Sequence, residues 1–165
     1  MRRGIAFHNA RAFVEAERCY QTVLQLNPKN PDALNLMGVL AVEANQRETA
    51  LDYFQRAVKI EPEIAIYRNN LGNALCFNTD FEHALVHLQK AVALDPNYLE
   101  AICNLGKVNR LLGDITTSTK WLNRALRLQP GHLTAINELA EIESELGRFD
   151  QAIQMFEGVL ARDPM

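Results

Sequence analysis

The sequence predicts an all-α protein built by stacking copies of one helical hairpin, and three observations carry that prediction. Pro28, Pro62, Pro96, Pro130 and Pro164 recur every 34 residues, a period that marks one supersecondary unit copied and stacked. Small residues keep the same spacing: Gly4, Gly38, Gly72 and Gly106 with Ala140, and later in each unit Ala16, Ala50, Ala84, Ser118 and Ala152. Larger apolar residues follow in phase at Tyr20, Phe54, Leu88, Leu122 and Phe156, then Val23, Ala57, Ala91, Ala125 and Val159. Proline cannot continue a helix, so each one closes a unit. The small positions are where two helices cross too closely for a larger side chain, and the large ones fill the space beside each crossing.

Each unit then reads as a helix A, a short turn and a helix B. The whole chain, 1–165, forms a single array: repeat 1 (truncated) 1–30, repeat 2 31–64, repeat 3 65–98, repeat 4 99–132 and repeat 5 133–165. Repeat 1 has a helix A without its first turn and a helix B over 12–26. The A/B pairs that follow are 31–44 with 47–60, 65–78 with 81–94, 99–112 with 115–128, and 133–146 with 149–162. Asn30 before Pro31 has the form of an N-cap with proline at the first helical position. Asp80 and Asp114 are placed to cap the B helices of repeats 3 and 4. Gly113, Gly147 and Asn45 suit the left-handed residue that ends a helix. Two helices have weak propensity. Helix B of repeat 4 opens Ile115-Thr116-Thr117-Ser118-Thr119, whose hydroxyls compete for backbone hydrogen bonds. Helix B of repeat 5 contains Gly158, which costs about 1 kcal/mol against alanine. Packing must hold both.

Composition excludes several classes. A net charge of −3 offers no basic stripe, which argues against nucleic acid. No apolar run reaches the ~18 residues of a membrane span, and no signal peptide is evident after Met1-Arg2-Arg3. Cys19, Cys76 and Cys103 are odd in number and lack metal-ligand spacing, which suits a reducing compartment and a cytoplasmic location. The incomplete first unit and the end one residue past Pro164 suggest a piece of a longer protein. Uncovered repeat ends would also favour weak homo-oligomers.

The constellations that could carry chemistry are thin. His83 and His87 stand four apart on one helix, as two metal ligands would, but Ala84 stands where a zinc-protease motif needs glutamate, and no third ligand is in view. Thr116–Thr119 has no glycine elbow and no histidine nearby, and the glycines occur singly inside helices, so nothing cradles a phosphate. Cys76 and Cys103 read as helix-packing residues. No cofactor, metal or catalytic group is implied, and the expectation is a protein that is not an enzyme.

The small-large-small-proline pattern with its 34-residue period resembles the tetratricopeptide repeat family over the whole chain. That resemblance implies a right-handed superhelical solenoid of antiparallel helix pairs whose A helices line a concave groove. The family's groove positions are the second, fifth, sixth, ninth, twelfth and thirteenth of each unit. Carried over, they hold Ile5 and His8; Asn35, Val39, Val42 and Glu43; Asn69, Asn70, Asn73, Cys76 and Phe77; Glu100, Asn104, Lys107 and Arg110; and Asn137, Glu138, Glu141 and Ser144. Six of these are asparagines, and an amide that donates and accepts can hold a peptide backbone whatever its side chains.

Asn69-Asn70-Leu71-Gly72-Asn73-Ala74-Leu75 is similar to the superhelical repeats of protein O-GlcNAc transferases, where asparagines bind substrate backbones. The competing reading is a hydrogen bond to a neighbouring helix. The family's chaperone-tail clamp is incomplete here: Asn73 and Asn104 fit, but Asn69, Thr134 and Glu138 stand at its basic places. Lys107 and Arg110 form a basic spot flanked by Glu138 and Glu141, read either as an anion site or as an ion pair between A helices. Cys19, Tyr53, His87, Trp121 and Met155 form a stripe on the B helices, read as packing or as a partner surface.

The expected function is a non-enzymatic interaction scaffold that binds an extended peptide or helix through Asn35, Asn69, Asn70, Asn73, Asn104, Lys107, Arg110 and Asn137. Resemblance to bacterial arrays leaves two alternatives: a substrate-recruiting arm of a glycosyltransferase or sulfotransferase, and a homo-oligomeric assembly module.

Overall fold

A computed structural model describes residues Met1–Leu160, with side chains through Gly158. The expected positions of Val159, Pro164 and the last turn of helix B in repeat 5 lie outside the described side chains or residues. Among the described residues there are ten helices and no strand: α1 (Arg2–Asn9), α2 (Phe13–Leu26), α3 (Pro31–Glu43), α4 (Arg47–Ile60), α5 (Ala65–Phe77), α6 (Phe81–Leu94), α7 (Leu99–Leu111), α8 (Ile115–Leu128), α9 (Leu133–Glu145) and α10 (Phe149–Leu160). The A helices stop one residue earlier than the sequence pattern suggests. The helices group into two compact units, α1–α6 and α7–α10, divided between Leu94 and Asp95.

The A helices end the same way in all five repeats. Arg11, Asn45, Thr79, Gly113 and Gly147 all have positive φ, between 56° and 83°. The amide one residue further on then reaches back to the carbonyl five residues upstream: Gln46 to Ala41 at 2.8 Å, Asp114 to Asn109 at 2.8 Å, Arg148 to Glu143 at 2.8 Å. This is a Schellman ending, which satisfies orphan carbonyls and turns the chain sharply into helix B. Only two of the five residues are glycine. Thr79, branched at Cβ, holds its φ of 60° against its own preference.

Within each hairpin the small residues do what the spacing implies. A Cβ on Gly38 would lie 2.6 Å from the Phe54 ring, and one on Gly106 would lie 2.5 Å from Leu122 Cδ2. Tyr20, Phe54, Leu88 and Leu122 are fully or almost fully buried beside these contacts. Ala16, Ala50, Ala84 and Ala152 are buried in phase, and Ser118 takes the same place with its hydroxyl buried and unpartnered. Capping follows the sequence at Asn30, whose Oδ1 accepts from the Ala33 amide at 2.8 Å, and at Asp114, which accepts from Thr117 at 2.9 Å. Asp80 is nearer its own His83 ring, at 2.8 Å, than the His83 amide, at 3.4 Å. His132 also caps α9 through Nδ1, a role its sequence position did not announce.

Candidate ligand-binding faces on the A helices

In the first unit the candidate face is built by α3 and α5. Asn69, Asn73 and Phe77 fall four apart on α5, so helical geometry stacks them along one side. Asn35, Val39 and Val42, four and then three apart, line one side of α3. The amides join: Asn70 Nδ2 donates to Asn35 Oδ1 at 2.9 Å, and Asn69 Nδ2 donates to Asn70 Oδ1 at 3.4 Å. Asn35 and Asn69 are only 6% exposed, deeper than a groove lining requires. The reading of the asparagines as hydrogen bonds to a neighbouring helix therefore holds for Asn35 with Asn70. Asn35 and Asn69 are supports within the stack, while half-buried Asn70 keeps one N–H and one oxygen lone pair beyond its two bonds. Asn73, one turn on and half-buried, has no side-chain partner among the described residues. A second tie joins the same two helices. The Tyr67 hydroxyl donates to Asp32 Oδ1, and burial followed by that bond pushes its pKa upward.

The second unit presents Asn104, Lys107 and Arg110 on α7 and Asn137 and Glu138 on α9. Arg110 is not open to a ligand anion. Its guanidinium donates to Glu138 Oε2 through Nε at 3.1 Å and Nη2 at 2.9 Å, and Nη1 engages Glu145. Arg110 and Glu138 side chains are each 13% exposed. Burial works against the guanidinium's charge, but Glu138 and then Glu145 more than offset it, and the pKa is raised. The pair bridges two A helices, as one of the two sequence readings had it. Lys107 and Asn104 are half-buried, and Asn137 is exposed.

His83 turns to Asp80 and His87 to Arg68, with Nη1 at 3.1 Å from the His87 ring, so the two histidines point at separate partners. Burial, then the Arg68 and His83 charges, lowers the His87 pKa. Among the described residues no group of three or more His, Cys, Asp or Glu side chains could hold a metal. Cys103 is buried, which pushes its thiol up to about 11 and makes a thiolate costly at neutral pH. The stripe on the B helices is half-buried. Arg56 lies over Tyr53 at 5.6 Å and Arg124 over Trp121 at 5.4 Å.

One feature was not read from the sequence. At the junction of α3, α4 and α5 lies a cavity of about 190 Å³ lined by Val42, Asn45, Arg47, Ala50, Ala74 and Phe77. The signal for it was present in the seventeenth position of each unit, which holds Phe13, Arg47, Phe81, Ile115 and Phe149. Repeat 2 is the one unit in which that position is not a large apolar side chain.

Models of the tetratricopeptide repeat match residues 9–69, 99–132 and 132–162. The chain belongs to the tetratricopeptide repeat family. Solved structures agree in fold. PilW, a widely conserved type IV pilus biogenesis factor, superposes with a TM-score of 0.87 at 24% identity, over 96% of this chain and 74% of that one. MamA gives 0.78 at 23% identity, over 96% and 92%. YrrB, described as a tetratricopeptide repeat protein with an unusual peptide-binding site, gives 0.75 at 21% identity, over 98% and 83%. A comparison with curated proteins finds no match. Tetratricopeptide repeat proteins are generally non-enzymatic interaction modules, and the fold is that of a protein-interaction scaffold. No helix among the described residues is long and apolar enough to cross a membrane.

Proposed function

We infer that this scaffold binds an extended protein segment along its A-helix faces, with asparagine amides holding the segment's backbone. The observation that carries this reading is the amide cluster of the first unit. Asn35 and Asn69 lock Asn70 in place, and Asn70 and Asn73 keep donors and acceptors to spare on the same side of α5. A pre-set amide loses little freedom on binding, so more of its hydrogen-bond energy appears as affinity. Val39, Val42 and Phe77, half-buried or exposed on the same helices, supply apolar contact for the segment's side chains. In the second unit Asn104 and Asn137 are the corresponding amides, and Arg110 contributes rigidity because Glu138 and Glu145 occupy it. Cys19, Cys76 and Cys103 form no disulfide, which favours a cytoplasmic setting for this activity; thiol titration of the protein isolated from its host would contradict that by finding mixed disulfides.

Selection from a random peptide library on the immobilised protein tests the reading. Asn73→Ala removes an amide without orphaning any partner, so it should weaken the selected peptides about threefold to tenfold while leaving thermal stability in place. Peptides that bind Asn73→Ala and the parent equally, with no shift in the Asn70 side-chain resonances, would overturn the asparagine reading.

A further inference from the structure

We propose that the cavity between α3, α4 and α5 is a socket for an aromatic side chain of the bound segment, with Arg47 at its rim taking a carboxylate two residues away. The proposal rests on the groove reading only for the direction from which the segment arrives.

The argument starts from the repeat. At the seventeenth position, Phe13, Phe81 and Phe149 put a phenyl ring, and Ile115 a branched aliphatic, at the start of helix B. In repeat 1 that ring packs edge-on against His8 at 5.7 Å between centroids. His8 stands 34 residues before Val42, which lines the cavity. Repeat 2 lacks that ring, and the following helix adds room with Ala74 where the other units carry Leu40, Val108 and Ile142. Arg47 instead reaches across to α5, where Nη1 donates to the Phe77 carbonyl at 3.2 Å. The space left is about 190 Å³, walled by Val42, Ala50, Ala74 and Phe77. An apolar cavity of about 150 Å³ is large enough to take up benzene. The repeat pattern and the volume thus name the same occupant, a phenyl ring.

The rim adds charge. Arg47 is exposed, and no ion pair among the described residues engages it. Beyond its bond to Phe77, the guanidinium keeps a planar set of donors suited to a carboxylate. Alternate side chains of an extended chain share a face and lie roughly 7 Å apart. A ring in the socket and a carboxylate on Arg47 therefore belong to residues two apart. The socket also continues the candidate face: Phe77, one wall, follows Asn73 by four residues on α5, about 6 Å along the helix.

The test uses a fluorescein-labelled heptapeptide of glycine and serine that carries one phenylalanine and, two residues later, one glutamate. Fluorescence anisotropy reads its affinity, and the Ala50 and Ala74 methyl resonances report entry into the socket. Replacing the peptide's phenylalanine by alanine should weaken binding about thirtyfold. Replacing its glutamate by glutamine should weaken it about fivefold, and Arg47→Ala should remove that difference. Arg47→Phe restores the plug, so it should raise the melting temperature and abolish binding. The methyl shifts in the unmodified protein keep the test decisive even if that variant folds poorly. Binding retained by Arg47→Phe, unmoved Ala50 and Ala74 methyls, or no binding at millimolar peptide would overturn the socket. Asn73→Ala separates the two readings: loss there with retention in Arg47→Phe leaves the amide face standing and removes the socket, and the reverse leaves the socket alone.

Discussion

Ser118 and Thr79 show what single residues contribute when they depart from the pattern their equivalents keep. Ser118 stands where four other units have alanine, and its hydroxyl is buried without a partner. An unsatisfied buried polar group costs about 1–3 kcal/mol, so Ser118→Ala should stabilise the protein by an amount in that range, read from denaturant midpoints. Thr79 holds a left-handed φ of 60° that glycine holds in repeats 4 and 5. Thr79→Gly should stabilise by about 1 kcal/mol, because relief of the steric cost exceeds the glycine's entropy loss; a lower melting temperature would contradict that. Both residues were visible in the sequence, but with different clarity. Ser118 announced itself as an exception among alanines. Thr79 and Arg11 did not, because neither residue prefers the left-handed region, and only the equivalence with Asn45, Gly113 and Gly147 places them there.

At the scale of helices, caps and cross-helix ties decide which contacts matter. Asp114 caps α8, and the Thr117 amide bond holds its carboxyl below the ordinary value of 3.8. A carboxyl depressed in the folded state stabilises fully above its unfolded pKa, and that contribution is lost as pH falls through the folded value. Asparagine caps equally well and does not titrate. Asp114→Asn should therefore match the parent's melting temperature near pH 6 and exceed it near pH 3; an equal gap at both would remove the cap from the acid response.

The Asn70–Asn35 bond makes a different forecast. Asn70→Ala leaves the buried Asn35 oxygen without its donor and should cost about 1–3 kcal/mol. A double-mutant cycle with Asn35→Ala should recover part of that loss, as coupled partners do. Helical periodicity put these asparagines on one side of their helices, and that much was legible. Their depth was not, because depth depends on how closely α5 approaches α3. The Arg110–Glu138 pair was legible as one of two options. It resolved only once the two side chains were found to meet at 2.9 Å.

For the whole molecule, the fold was legible almost completely, since prolines, glycines and alanines repeating every 34 residues leave few other architectures open. The placement of the asparagines on the A helices was legible, and the cavity at Arg47 escaped because a missing phenylalanine is seen only by comparing repeats at a position the groove pattern does not include. The central claim is that asparagine amides grip the backbone of the bound segment. The measurement that bears on it most directly compares one library-selected peptide with versions of itself N-methylated at single backbone positions, which delete one N–H each and leave every side chain in place. Calorimetric titration should show at least one methylated position weakening binding about tenfold, with the Asn70 or Asn73 side-chain resonances no longer shifting. Methylated peptides that all bind as tightly as the parent, with those resonances shifting as before, would contradict backbone capture by the asparagines.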